Sequence, residues 1–514
     1  MIPKPDVLRR AAVVFLLCAA SSQLAARDLP SPGAGPVPLR SDTATGDASH
    51  RVPDIMLFGA DSTGMHDSTP AFAAAARALG PGGGTVTIPA QGKFLLDTDL
   101  TVPPNVSFTG PHVLNGSPGT NVSARYDVVS GAILLNPAAT IRLSGGAGFD
   151  GVLVYRKGMR FPAPDAVAFA GTAFTVAGDD SFLIRSQVMG FNKAFLANGF
   201  QRVRVHDLWH DNTNGIEIAA CTDVSYIRDN HAWPFATIRA GAAPAALQRS
   251  GVAYYFHDVG DWNKSTNNFS YGYRRGQWLD NVNSMTLLGA AHDNTTHQPG
   301  SIGIAVTGTS QDTRIVLGQA AAQEIGIYIN TRAGLHTTIQ AVNTWANSGQ
   351  SILVDGGNVT IQGSFRDAPY RVTINNAASH VNISGSYFTG MKGRPIHNAT
   401  GSSFVTLGAN DYGDLAAGQS AIDGAVLQTI VASEPLNLPP TGELFVVTGS
   451  TDFNTVKGAW PGRRVTLKFT GRLSVGMGAS NVQMPGRLFA KRNTVWSILG
   501  DGPGSFVETG RSIN

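Results

Sequence analysis

Residues 55–111, IMLFGADSTGMHDSTPAFAAAARALGPGGGTVTIPAQGKFLLDTDLTVPPNVSFTGP, carry the reading of the fold. A short apolar run, Ile55 to Phe58, closes on Gly59 and a turn at Asp61 and Gly64. Asp67-Ser68-Thr69-Pro70 is a helix-start signal, with Thr69 placed to cap free amides and Pro70 suited to the first helical position. The spacing predicts a helix over Ala71–Leu79, stopped by Gly80-Pro81 and the glycines at 82–84, and then a strand, Thr85–Ile88, running into Pro89.

In this order the segment resembles the N-terminal capping segment of the pectin-lyase-like right-handed parallel β-helix superfamily, in which a helix covers the mouth of the coil. The resemblance implies an all-β fold: a right-handed parallel β-helix over 51–413, an N-terminal capping helix, and a small C-terminal β-module over 414–514. It is specific for fold and silent on reaction, because that superfamily includes lyases, hydrolases, epimerases and tailspikes.

The repeat is also legible directly. With Phe174 and Val176 facing inward on one strand and Phe182 and Ile184 on the next, a step of 21 residues lands on Phe195 and Ala197 with Val203 and Val205, then on Ile216 and Ile218 with Val224 and Tyr226. Alternation within each pair is the signature of a strand, and a fixed period near 20 is that of a solenoid. Later coils follow less regularly, with inward pairs expected at Val252/Tyr254, Ile304/Val306, Ile327/Ile329 and Ile352/Val354.

Sixty glycines in 514 residues, with few charged side chains, suit short strands joined by tight turns. The leader has a basic start (Lys4, Arg9, Arg10), an apolar stretch from Ala11 to Ala20, and small residues at Ala25-Ala26. It reads as a signal peptide over 1–26 followed by a linker over 27–50, and so predicts a secreted or periplasmic protein. Taking away Lys4, Arg9, Arg10 and Asp6 with the leader leaves 35 basic against 34 acidic residues. That balance gives no electrostatic case for nucleic acid, and no stretch is apolar enough for a membrane span. Only Cys221 then remains, so no intramolecular disulfide forms.

Residues between inward pairs face out. The outward column of the first strand is expected at Thr175, Leu196, Glu217, Ala253, Trp278, Ala305, Tyr328, Leu353 and Thr373. Glu217 and Trp278 then lie two rungs apart, roughly 10 Å at about 4.8 Å per rung, a carboxylate beside an aromatic platform of the kind a glycan groove uses. The chain breaks its rhythm between Tyr226 and Gly276, and inserted loops are where binding and catalysis concentrate. Candidate catalytic residues are therefore Glu217, Asp258, Asp261, His231 and Arg275; candidate substrate contacts are Trp278, Tyr328, Trp233 and Asp280. His210 and His231 are 21 apart and are expected to stack, with His292 in the same phase.

The motifs of polygalacturonases and calcium-dependent pectate lyases are absent, so no catalytic residue carries over from either group, and neither a metal nor a cofactor is expected. The reading is a secreted carbohydrate-active β-helix that cleaves a complex polysaccharide by hydrolysis or β-elimination. The alternative is a non-catalytic glycan-binding, adhesin-like or tailspike-like β-helix, and the resemblance of the C-terminal module to tailspike-like modules implies a homotrimer.

Overall fold

The computed structural model describes residues 52–112, 131–159, 163, 169–238, 242–294, 298–390, 394–402, 404–424, 427–440, 442–476 and 480–512; the expected signal peptide and linker lie outside them. A 3-10 turn at Ile55–Phe58 ends on Gly59 with φ 84°. The Asp61 carboxylate accepts from the Thr63 hydroxyl and from the amides of Thr63, Met65 and His66. These bonds, that from the Thr63 side chain foremost, hold its pKa down to about 2. The helix spans Thr69–Ala78, with Pro70 in its first turn. Its capping side chain is Asp67, which accepts from the Thr69 amide at 2.9 Å and the Thr69 hydroxyl at 2.6 Å. This corrects the expected capping role of Thr69: its hydroxyl is spent on Asp67.

The helix buries Ala71, Phe72, Ala75 and Ala76. Phe72 meets Phe108 at 5.3 Å, Phe108 stacks on Phe149 at 5.0 Å, and Phe149 meets Phe174 edge-on at a further 5.3 Å. Aromatic rings thus plug the coil from its capped end inward.

Three parallel ladders follow. The first face has 13 strands, from Leu100–Val102 to Ile422–Asp423. The second and third faces are joined through the long strands His336–Trp345 and Asn358–Arg366 into one 24-stranded network. On the first face Phe174 pairs with Phe195 and Phe195 with Ile216, the expected 21-residue register. One apolar core runs the length of the coil. The protein is thus a parallel β-helix, as the N-terminal segment implied.

The second face steps by 22. Leu183, Val205 and Ile227 are its inward column, so Phe182 and Ile184 face out and Tyr226 is exposed. The turn between the two faces gains a residue at each rung and the return to the first face shortens to compensate. The segment after Trp233 shifts the register again: Ile216 pairs with Tyr254 and Ile218 with Phe256. Tyr254 and Phe256, not Val252 and Tyr254, therefore face inward.

Buried asparagines close the turns. Asn230 donates to Asn268 Oδ1 at 2.9 Å and Asn268 to the Ile227 carbonyl at 2.8 Å, satisfying groups that have no strand partner. Beyond the last first-face strand, Gln428–Val431, Leu444–Thr448 and Arg464–Phe469 pair in parallel, Val495–Gly502 and Ser505–Ser512 continue the sheet antiparallel, and Val482–Gln483 closes it in parallel, around a separate core that includes Trp496. No helix among the described residues is long and apolar enough to cross a membrane.

Candidate functional site

The corrected register brings a cluster to the outward side of the first face. One column reads Leu196, Glu217, Tyr255, Trp278, Ala305 and Tyr328; the column beside it reads Ala219, His257, Asp280, Thr307 and Asn330. Tyr255 occupies the place expected for Ala253. Glu217 and Trp278 are two rungs apart, as the spacing predicted.

Glu217 Oε2 lies 2.5 Å from Lys193 Nζ, and its Oε1 lies 3.4 Å from His257 Nε2. The other ring nitrogen, Nδ1, lies 3.0 Å from Asp258 Oδ2. Asp258 sits in a tight turn at φ 55° and also accepts from Asn281 at 3.1 Å. The His257 contact, partly opposed by burial, holds its carboxyl below the usual range. An imidazole with a carboxylate at each nitrogen donates to both only when protonated, so proton transfer at His257 makes or breaks one of these bonds. Glu217 is engaged at both oxygens, by Lys193 at one and by His257 at the other, and so orients the ring.

Tyr255 stacks on His257 at 4.5 Å and on Trp278 at 4.7 Å, both rings within 27° of its plane. The Arg275 guanidinium lies 3.9 Å over the Trp278 ring. Trp278 Nε1 donates to Thr307 Oγ1 at 2.8 Å, and that hydroxyl donates to Asp280 at 2.7 Å, which fixes the indole. Burial, reinforced by Asp280, Glu217 and Asp258, pushes the Tyr255 phenol up, so it remains a proton donor. Burial, then Arg274, pulls the Arg275 guanidinium down. Tyr328, two rungs beyond Trp278, is raised by burial and by Asp355.

Five of the nine expected residues on or beside this face, Glu217, Asp258, Arg275, Trp278 and Asp280, share one contiguous set, and Tyr328 extends it. Asp261 does not join them: it is an exposed turn residue at φ 50°. His231 belongs to the third face, where Trp209, Phe235 and Phe269 enclose its ring at 5.9, 5.5 and 4.9 Å; burial pushes it down to about 4. Trp233 packs in the same cluster, 4.5 Å from Tyr271, and is buried. Both are packing residues beneath the inserted segment. His210 and His231 do not stack, because that face also steps by 22 and pairs Trp209 with His231. His210 and His292 do share a column, and it points into the coil.

Lys193, Tyr255 and His257 were missed. The signal was present in Tyr254-Tyr255-Phe256-His257: taking Tyr254 and Phe256 as the inward pair turns Tyr255 and His257 outward. Among the described residues no group of three or more His, Cys, Asp or Glu side chains is placed to hold a metal ion.

The architecture defines a class, the parallel β-helix proteins, and solved structures of that class match the chain at low identity. It is similar to the catalytic unit of a thermostable GH87 α-1,3-glucanase from Streptomyces thermodiastaticus, at 16% identity and TM-score 0.43 over 72% of this chain and 70% of that one. It is similar to the A-module of the mannuronan C-5 epimerase AlgE4 of Azotobacter vinelandii, at 17% identity and TM-score 0.44 over 70% of this chain and 95% of that one. A mutant tailspike protein of Escherichia coli bacteriophage HK620, solved with a pentasaccharide, matches at 10% identity and TM-score 0.46 over 88% of this chain and 84% of that one. These likenesses are of fold. No protein-family model and no curated protein matches the chain.

Proposed function

We propose that this protein is an exported enzyme that cleaves an acidic polysaccharide on the first face, with His257 as the proton-handling group. The observation that carries the reading is the Glu217–His257–Asp258 chain of contacts beside the stacked Tyr255 and Trp278 rings. Cleavage of a glycosidic bond needs a positioned proton acceptor, a proton donor and a surface that holds the ring. These residues supply all three.

β-Elimination is the reading they favour over hydrolysis. Both Glu217 oxygens are already engaged, by Lys193 and His257, and the His257 contact holds the Asp258 carboxyl below its usual range, so neither is placed as the free acid that a two-carboxylate hydrolase requires. In elimination, neutral His257 takes the proton from the carbon next to a uronate carboxylate. The electron pair left there forms a C=C bond and expels the glycosidic oxygen, to which the Tyr255 phenol supplies a proton. Arg275 faces the uronate carboxylate.

The test incubates the protein with acidic and neutral polysaccharides and reads both new reducing ends and the absorbance of unsaturated uronates. Unsaturated ends that vanish in His257→Asn support the reading. Reducing ends without unsaturation mean hydrolysis, and full turnover in His257→Asn removes the site. Export is tested separately by N-terminal sequencing of protein recovered outside the cytoplasm; a start near residue 27 is expected, and an intact leader there counts against it.

A further inference from the structure

The second face carries features the first-face site does not use. Trp262 is 63% exposed, yet its backbone is held at φ 69°, a conformation costly for a bulky side chain. The Lys264 ammonium lies over two exposed rings, 5.6 Å from that of Tyr226 and 5.7 Å from that of Trp262. Ser284, Thr286 and Arg314 complete a pocket of about 250 Å³ beside them.

The column through Tyr226 and Lys264 continues in register through Thr286, Arg314, Thr338, Thr360 and Asn382. It ends at a second cavity, of about 440 Å³, where the solenoid meets the C-terminal module. There Trp460 is 44% exposed, and the Arg463 guanidinium lies 4.2 Å over its ring. Arg463 retains 4% of its surface, bonds the carbonyls of Gly458 and Pro439, and keeps a buried Nε with no partner. Among the described residues no carboxylate is within ion-pair distance of Lys264, Arg314, Arg463 or Arg464, and Glu443 is the one acid lining the two cavities.

We propose that this face is a second glycan-binding track, separate from the first-face site, for a stretch of acidic polysaccharide lying between Trp262 and Trp460. The two indoles take the C–H faces of sugar rings, the threonines and Asn382 meet hydroxyls, and Lys264, Arg314 and Arg464 meet carboxylate or sulfate groups. Lys264 and Asn382 are five rungs apart, about 24 Å at about 4.8 Å per rung, the reach of a short run of sugar units. The inference does not rest on the first-face reading.

The test uses affinity electrophoresis of the full chain in the His257→Asn background, with polygalacturonate, alginate and hyaluronan as acidic probes and dextran as the neutral one. Retardation by at least one acidic polymer, weakened by salt and absent with dextran, is expected. Trp262→Ala and Trp460→Ala, both at exposed positions, should each weaken it about tenfold, while leaving cleavage of a short oligosaccharide by the parent protein unchanged. No retardation by any acidic polymer, equal or greater retardation by dextran, or retardation unchanged in both tryptophan variants overturns the track. Retardation that persists in a protein that cleaves nothing leaves the track standing while the first-face reading falls.

Discussion

His257 Nε2 lies 3.4 Å from Glu217 Oε1 although 40 residues separate them in the chain. The segment after Trp233 loops out between their rungs, so two residues distant in sequence become neighbours on adjoining strands. Glu217, fixed by Lys193, sets one carboxyl oxygen against one edge of the imidazole, and Asp258 sets another against the opposite edge. His257→Asn should therefore lower kcat by about 10²- to 10⁴-fold with little change in Tm, because the side chain is part-exposed. Glu217→Gln should cost less and should change the pH profile of kcat, since it removes one charge facing the ring. A Glu217→Gln enzyme with the parent profile would show that the contact has no part in proton transfer.

Asp258 and Asp261 look alike in the sequence and differ in the structure. Only Asp258 touches His257. Asp258→Asn should slow turnover and Asp261→Asn should not, measured side by side on the same polysaccharide; the reverse order would move the site onto the loop.

Trp278 is held by Tyr255, Arg275 and Thr307, so its indole is preorganised. Trp278→Ala should raise KM by about tenfold, the scale of one stacking contact, and should affect kcat less. A loss confined to kcat would mean that the indole positions the reacting atoms and is not a platform for the sugar.

The fold was legible because two of its signals are local. The Asp67–Pro70 helix start and the glycines at 82–84 are set by backbone chemistry, and the 21-residue first-face register is carried by Phe174, Phe195 and Ile216 without interruption. The rest depended on turn length, which hydrophobic alternation does not encode. A slip of one residue flips a strand's faces, and on the second face the step of 22 did that to Phe182, Ile184 and Tyr226. Polar residues turned inward, among them Ser265, Gln277, His210 and His292, blur the pattern further. Around Tyr254 the misplaced pair hid Tyr255 and His257, which is why the carboxylates and the indole were found and the group between them was not.

Gly83 tests the cap. Its φ is 72°, and a Cβ there would come 2.2 Å from the Asn105 carbonyl oxygen, on backbone that cannot step aside. Gly83→Ala should lower stability by at least about 1–3 kcal/mol, read from denaturant midpoints. Ile216→Asp, which buries an unpaired charge in the coil, should cost several kcal/mol (~3–5) and unfold the region around it. A Gly83→Ala protein as stable as the parent would mean that the cap is not closed as described.

Acid should destabilise this protein through its buried histidines. His210 and His292 point into the coil, each with a buried Nε2 that has no partner, and burial pushes both down to about 3. His231, in its aromatic cage, is at about 4. The unfolded chain takes up these protons near pH 6.5 and the folded chain declines them, so the stability they contribute is present above pH 6.5 and is lost as pH falls toward the folded values. The slope is about 1.4 kcal/mol per pH unit for each histidine. Asp293 runs the other way: burial raises it to about 6, so the folded state holds its proton between 3.8 and 6, and this group's contribution falls as pH rises through that window. One carboxyl against three histidines leaves stability falling on acidification between pH 6.5 and about 4.5. Denaturant midpoints measured across that range should drop steeply for the parent protein and less steeply for His292→Gln, by about one histidine's slope. Parallel curves for the two would show that His292 takes up its proton inside the folded coil.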